Sequence, residues 1–214
     1  IIDRKGMDVA LRDVGGLRSV TEELFYSLLL ALKHPKLFFR PRGPFATSKG
    51  VLVTGPPGCG KTMLMKAVAR ECGCCFLCPT LGTLQSKYYG ESQKLLGAMF
   101  ALARKRAPCI LFIDELDAAF RERSDDDAGC DYALKTEFLS LMDGIRTRAD
   151  EPVVVVGATN NPGSLDTALR RRMPVVLNVG LPTHKERCHI VLLACADEQD
   201  ARACSDAFAA PPEA

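Results

Sequence analysis

Three short runs hold the side chains best suited to phosphate chemistry. The first, GPPGCGKT at 55–62, has the spacing G-x-x-x-x-G-K-T. Gly55, Pro56, Pro57, Gly58, Cys59 and Gly60 form a loop whose glycines let backbone N–H groups turn inward around phosphate oxygens. Lys61 offers a cation to the terminal phosphates, the Thr62 hydroxyl a ligand to Mg²⁺, and Met63 stands at the start of the following helix. A plain glycine turn between strand and helix would need neither the lysine nor the threonine. The second run, FIDELDA at 112–118, ends an apolar segment in Asp114 and Glu115. Such a pair divides two tasks: Asp114 holds the Mg²⁺ shell, usually through water, and Glu115 polarises the water that attacks the terminal phosphate. The plainer reading is a set of acids at a helix start, and Asp117 is read that way. The third run is ATN at 158–160, whose Asn160 either orients that water or serves as a turn residue ahead of Pro162. Beyond it, Arg170, Arg171 and Arg172 form a basic cluster. Such a cluster is either solvated surface or a source of arginine fingers, which contribute about 10³ to 10⁵ in rate.

These residues act together only if the fold brings them to one place. Val20, Leu24, Leu28 and Leu32 recur at helical spacing and Pro35 closes the pattern, so a helix is predicted over about 18–33. A loop with Pro41, Gly43 and Pro44 comes next. GVLVTG at 50–55 predicts a buried strand, and KTMLMKAVAREC at 61–72 a helix stopped by Gly73. Further strands are predicted at 74–78, 109–113, 153–157 and 175–179, several of them apolar throughout. Between them, a helix over about 92–106 shows Leu95, Met99, Leu102 and Ala103 on one face. Another shows Leu134, Phe138, Leu141 and Met142, closed by Gly144. Strands alternating with helices imply a five-stranded parallel sheet covered on both faces, an α/β P-loop core. Ligands of such sheets sit at the carboxyl ends of the strands. GPPGCGKT, DELD and ATN stand at the carboxyl ends of the first, third and fourth strands.

The 214 residues suffice for one sizeable core, with 47% of them hydrophobic. A formal net charge of +2 and a pI near 8.1 leave no basic excess of the kind that tracks a nucleic-acid backbone, so no nucleic-acid partner is expected. SLLLAL at 27–32 and HIVLLACA at 189–196 fall short of the ~20 apolar residues of a spanning helix. Of the ten cysteines, five lie between Cys59 and Cys78, a distribution that fits a reducing compartment. Cys72, Cys74, Cys75 and Cys78 could ligate zinc by spacing, but strand alternation points neighbouring thiols to opposite faces, so no metal is assigned to them. His34, His184 and His189 form no paired cluster. The division expected is a large α/β domain over 1–195 and, over 196–214, a small-residue tail or the start of a small helical domain.

DVGGL at 13–17, GVLVTGPPGCGKT at 50–62, FIDELDA at 112–118 and GATNNPGSLDTALRRR at 157–172 stand in an order and spacing that resemble the AAA family of hexameric ATPases, over about residues 8–195. The resemblance implies ATP hydrolysis with Mg²⁺ by a homo-hexamer. It implies that the backbone of Asp13, Val14 and Gly15 lines the adenine site, that Asn160 is the sensor, and that Arg171 and Arg172 are fingers acting on a neighbouring subunit. It also implies that Lys87, Tyr88, Tyr89 and Gly90 form a pore loop whose rings grip an unfolded polypeptide. An Asp-rich loop over about 123–131 would be a second pore element.

SKYYGESQK at 86–94, RERS at 121–124 and RRMP at 171–174 are most similar to the thorase-like translocases of the mitochondrial outer membrane and peroxisome. That likeness implies extraction of mislocalised tail-anchored proteins, on the cytosol-facing side, by a protein with a membrane anchor ahead of Ile1. Katanin-like and spastin-like microtubule severing, or ESCRT disassembly, is the alternative within the family, and a non-hydrolysing nucleotide-binding scaffold the alternative outside it. The chain departs from the subgroup at Tyr88, where tryptophan is usual, and at Val176, where an arginine is usual. The helical lid of the family is expected to be largely missing.

Overall fold

A computed structural model describes residues 9–24, 28–39, 48–79, 91–120, 129–148 and 150–195, and of residues 18, 19, 91, 119 and 129–132 the backbone alone. The five expected strands are present: β1 (Gly50–Thr54), β2 (Cys75–Leu77), β3 (Cys109–Ile113), β4 (Val153–Thr159) and β5 (Val175–Asn178). They form one sheet in the order β2-β3-β4-β1-β5, with every pairing parallel. The fold class is therefore the predicted one, with an α/β core and helices on both faces.

Period-two alternation divides each central strand between two cores. Val51 and Val53 of β1, Ile110 and Phe112 of β3, and Val154 and Val156 of β4 face one side. There they meet helices α1 (Arg18–Leu24), α2 (Leu30–Lys33) and α4 (Lys61–Cys72) through Leu24, Leu32, Leu64 and Val68, while α3 (Pro35–Phe38) lies at the edge of this layer. Leu52, Leu111, Val153 and Val155 face the other side. That side is covered by α5 (Glu91–Lys105), α6 (Leu116–Ala119), α7 (Gly129–Thr147) and α8 (Thr167–Arg172). The last described helix, α9 (His184–Ala194), comes after β5. Burial on both faces explains why these strands read as continuous apolar runs.

One local expectation is extended and two are corrected. Pro35 ends the first helical pattern but also opens α3 as its first residue, where a missing N–H costs nothing. On α5 the buried stripe is Leu96, Phe100 and Ala103, while Leu95 is 40% exposed. The two stripes share Ala103 and are otherwise one position apart, and edge-on packing of Phe100 against Phe138 at 5.8 Å favours the second. Gly144 does not close α7, which continues to Thr147. A β-carbon there would lie 3.3 Å from Arg104 Nη2, so this glycine marks a close approach between α7 and α5.

The carboxyl end of α7 is held by Lys49, which is 7% exposed. Its Nζ donates to the carbonyl of Ile145 (3.1 Å) in the last turn of α7 and to those of Arg148 and Glu151 (2.8 Å) in the segment that follows, so one ammonium ties the helix end to the chain leading into β4. Burial pushes the Lys49 ammonium below its ordinary value. Residues 80–90, 121–128 and 196–214 lie outside the described residues. The expected pore loop at Lys87, Tyr88, Tyr89 and Gly90, most of the second loop and the expected tail therefore lie there too. No described helix is long and apolar enough to cross a membrane.

Candidate nucleotide site

The loop after β1 is shaped by its glycines. Gly58 (φ 79°) and Gly60 (φ 82°) adopt the left-handed conformation, which the residue types at these positions permit. A β-carbon on either would meet nothing within 4 Å, so φ, not crowding, sets the requirement, and the space beside the loop is open. Gly60 then caps α4, whose first residues are Lys61 and Thr62. Their side chains start from the end of the helix that carries unpaired N–H groups and a partial positive charge.

Lys61 is 7% exposed, and its Nζ donates to three oxygens. These are the carbonyls of Gly55 and Pro56, each at 2.8 Å, and Asn160 Oδ1 at 2.7 Å. The loop, the helix start and the end of β4 thus converge on one ammonium. Thr62 Oγ1 donates to Asp114 Oδ2 at 2.7 Å, while Asp114 Oδ1 accepts from the Glu115 N–H at 3.0 Å. Glu115 has φ 54°, a conformation that costs a non-glycine residue about 1–2 kcal/mol. It caps α6 and turns the chain so that both carboxylates line one cavity. That cavity, of about 380 Å³, is bounded by Pro57, Gly58, Cys59, Gly60, Lys61, Thr62, Met63, Asp114, Glu115 and Asn160. Every phosphate-side residue expected from the sequence is in it, except Gly55 and Pro56, which contribute the carbonyls on Lys61.

A second cavity of about 230 Å³ shares Gly58, Cys59, Gly60 and Met63 with the first. It is otherwise lined by Asp13, Val14, Gly15 and Leu17 on one side and Gly180, Pro182, Ile190 and Leu193 on the other. The expected adenine-side residues are therefore beside the loop. The wall from 180–193 escaped the sequence reading; its only signal is the capping pattern Thr183-x-x-Glu186 ahead of an apolar run.

Asp117 does more than stand at a helix start. Its Oδ1 accepts from Thr159 Oγ1 at 2.9 Å, and the same hydroxyl oxygen accepts from the Asn161 N–H at 3.0 Å. The link ties α6 to the residues on either side of Asn160. Arg171 and Arg172 line neither cavity. Arg171 is exposed at the end of α8. Arg172 forks onto Asp143 of α7, Nε to Oδ1 at 2.9 Å and Nη2 to Oδ2 at 2.5 Å, and its Nη1 donates to the Ala168 carbonyl at 3.0 Å. Hydrogen bonding from Arg172 to Asp143, with the charges of Arg172 and Arg146, holds the Asp143 carboxyl below the usual aspartate range.

Among the described residues no group of three or more His, Cys, Asp or Glu converges on a metal position. Burial pushes the Cys109 thiol up. Hydrogen bonding to Cys72, together with burial, does the same for Cys74.

The family model of the ATPase family associated with various cellular activities (AAA) matches residues 51–181. The chain belongs to this family. Among curated relatives, an outer mitochondrial transmembrane helix translocase of Danio rerio is 42% identical over 92% of this chain and 52% of its own length. The Homo sapiens protein of the same name is 43% identical, over 92% and 55% respectively. A spastin of Dictyostelium discoideum is 44% identical over 89% of this chain and 28% of its own length. The chain thus spans about half the length of the translocases it matches. AAA membership carries nucleotide binding with it, and it agrees with a cavity built on a P-loop.

Proposed function

We propose that this chain is the ATP-hydrolysing core of a protein translocase that works as a homo-hexamer. In this reading it extracts tail-anchored proteins from the mitochondrial outer membrane, or the peroxisome, by threading them past Lys87, Tyr88, Tyr89 and Gly90. The observation that carries hydrolysis is the meeting of Lys61, Thr62, Asp114, Glu115 and Asn160 around one cavity at the carboxyl ends of β1, β3 and β4. The translocase reading draws on the names of relatives at 42–43% identity.

In this reading the loop N–H groups and Lys61 bind the terminal phosphates, and Lys61 exchanges one of its three oxygen partners for a phosphoryl oxygen. The apposed Thr62 hydroxyl and Asp114 carboxylate are an oxygen-only donor pair suited to Mg²⁺, and they would hold it. When bound, that ion neutralises charge on the terminal phosphates. Glu115 accepts the proton of the attacking water, and Asn160, held at Lys61, orients it. The cavity lined by Asp13, Val14 and Gly15 takes the adenine. Arg171 and Arg172 serve the neighbouring subunit's site.

Replacing Glu115 with glutamine tests the reading. Removal of a general base costs about 10² to 10⁴ in turnover. Glu115→Gln should therefore bind ATP and Mg²⁺ within about twofold of the parent and lose turnover on that scale; turnover at the parent rate refutes the assignment. For the substrate class, the protein is incubated with vesicles bearing a tail-anchored protein. ATP-dependent release supports extraction, and fragmentation of microtubules without release supports a spastin-like activity.

A further inference from the structure

The base-side cavity draws two of its walls from segments far apart in sequence, 13–17 and 180–193. One side chain joins them. Glu186, the third residue of α9, accepts the Leu17 backbone N–H on Oε1 at 3.2 Å. On Oε2 it accepts the Thr183 N–H at 2.7 Å and the Thr183 hydroxyl at 2.8 Å. The Thr183 N–H contact belongs to the capping box at the start of α9, and the hydroxyl contact reinforces it. The Leu17 contact lies outside the helix and fastens it to the other wall. Hydrogen bonds from Thr183 and then Leu17 hold the Glu186 carboxyl below the usual glutamate range.

The backbone around the contact is shaped to make it. Leu17 has φ 51°, a left-handed conformation that a leucine adopts only against a steric cost. Gly16 (φ 73°) presses so closely on the helix that an added β-carbon would lie 3.0 Å from Glu186 Cβ. An added β-carbon on Gly15 would lie 2.6 Å from Ile190 Cγ1. Leu17 and Ile190 both line the cavity, so the clasp sits at the seam where the two walls touch.

We infer that Glu186 is a positioning residue for nucleotide binding: by holding the Leu17 N–H it keeps the 13–17 wall docked on α9 and the base cavity formed. This rests on the reading of that cavity as the adenine side of an ATP site. The clasp needs two acceptor oxygens on one side chain. Glutamine has one. It serves equally well in a capping box, so in Glu186→Gln the carbonyl oxygen stays with Thr183 and the NH₂ group faces the Leu17 N–H, donor against donor. The substitution therefore breaks the clasp and spares the helix start. Thr183→Ala does the reverse, since it removes the hydroxyl at the helix start and leaves the Leu17 contact in place.

The test measures binding of a fluorescent ATP analogue, ATP turnover, and hydrogen exchange at the Leu17 amide in the parent protein, Glu186→Gln, Thr183→Ala and Lys61→Ala. Loss of one part-buried hydrogen bond to a charged acceptor, felt only in part at the nucleotide, weakens binding by about three- to tenfold. Glu186→Gln should show that loss as a raised Kd and KM, with kcat within about twofold and faster exchange at Leu17. Thr183→Ala should keep the parent Kd within about twofold. An unchanged Kd in Glu186→Gln, or an equal loss in both variants, overturns the clasp. If Lys61→Ala also binds as the parent does, the nucleotide-site reading fails and the clasp with it. Weakened binding in Lys61→Ala with a parent-like Glu186→Gln removes the clasp alone.

Discussion

Replacing Thr159 with valine separates the geometry of the site from the stability of the fold. Thr159 is the last residue of β4 and 1% exposed. Its hydroxyl gives a hydrogen bond to Asp117 and takes one from the Asn161 N–H, so a single oxygen braces both sides of Asn160. Valine fits the same space and removes both bonds. A hydrogen bond involving a charged partner contributes about 1.5–3 kcal/mol and a neutral one about 1 kcal/mol. Asp117 and Asn161 keep some access to water, which recovers part of that loss, and the buried methyl returns up to about 0.8 kcal/mol. The net cost is about 0.5–2 kcal/mol, a fall in Tm of about 1–8 °C for a chain of this size. The effect on rate should be larger. Asn160 lies 2.7 Å from the Lys61 ammonium, and misplacing a catalytic group by ~1 Å can cost about 10²-fold. Thr159→Val should lower kcat by tenfold or more with KM for ATP within about twofold, and Thr159→Ser, which keeps the hydroxyl, should retain most of the rate. Steady-state turnover and thermal unfolding on the same preparations decide the matter. A parent-like kcat in Thr159→Val would refute the idea that the Asp117–Thr159–Asn161 link positions Asn160.

Lys49→Met keeps the apolar stem and strips the three donors from the end of α7, at a cost of about 2–4 kcal/mol and a Tm lower by about 4–16 °C; an unchanged Tm would show that those carbonyls find other partners. Asp143→Asn should lower Tm by about 1–4 °C near neutral pH, as expected of a half-exposed ion pair. Because the folded carboxyl titrates below its unfolded value, that difference should be fully present above about pH 4 and vanish as pH falls through the depressed value; a difference that grows in acid would contradict the pairing. Tyr88→Ala should turn over ATP at the parent rate and lose extraction of a tail-anchored protein from vesicles, whereas equal loss of both would make Tyr88 a packing residue.

The features legible in the sequence were local. GPPGCGKT is a contiguous run in which spacing alone specifies loop, cation and hydroxyl, and the apolar strands announce themselves because burial on both faces removes their polar positions. The meeting of Lys61 with Asn160 and of Thr62 with Asp114 was implied by parallel topology. Register completes it: Thr54 pairs with Thr159 and Ile113 with Gly157, so β1, β3 and β4 end at nearly one level. A slip of one residue in β3 would shift Asp114 by about 3.3 Å, enough to break its 2.7 Å contact with Thr62, and would reverse which core each side chain enters. The illegible parts depend on docking. The choice between two adjacent stripes on α5 was made by Phe138, 38 positions after Phe100. The wall from 180–193 depends on α9 folding back onto 13–17, a contact that neither segment encodes alone. Asp117 looked like an ordinary helix-start acid because its partner, Thr159, lies one strand away.

The same dependence divides the two arginines of α8. In Arg172 the Nε, Nη1 and Nη2 groups are all engaged within the chain, by Asp143 and by the Ala168 carbonyl, and the side chain is only 22% exposed. To reach another subunit it must give up a two-pronged contact with a carboxylate, the strongest geometry an arginine has. Arg171, one residue earlier and exposed, has no such contact to break with Asp143. The two therefore differ in what recruitment costs even though they are adjacent and identical in type. If both act on a neighbouring nucleotide, Arg172 can do so only when the gain at the phosphate exceeds the loss at Asp143. The Asp143 fork anchors the end of α8 on α7, one residue from Arg171.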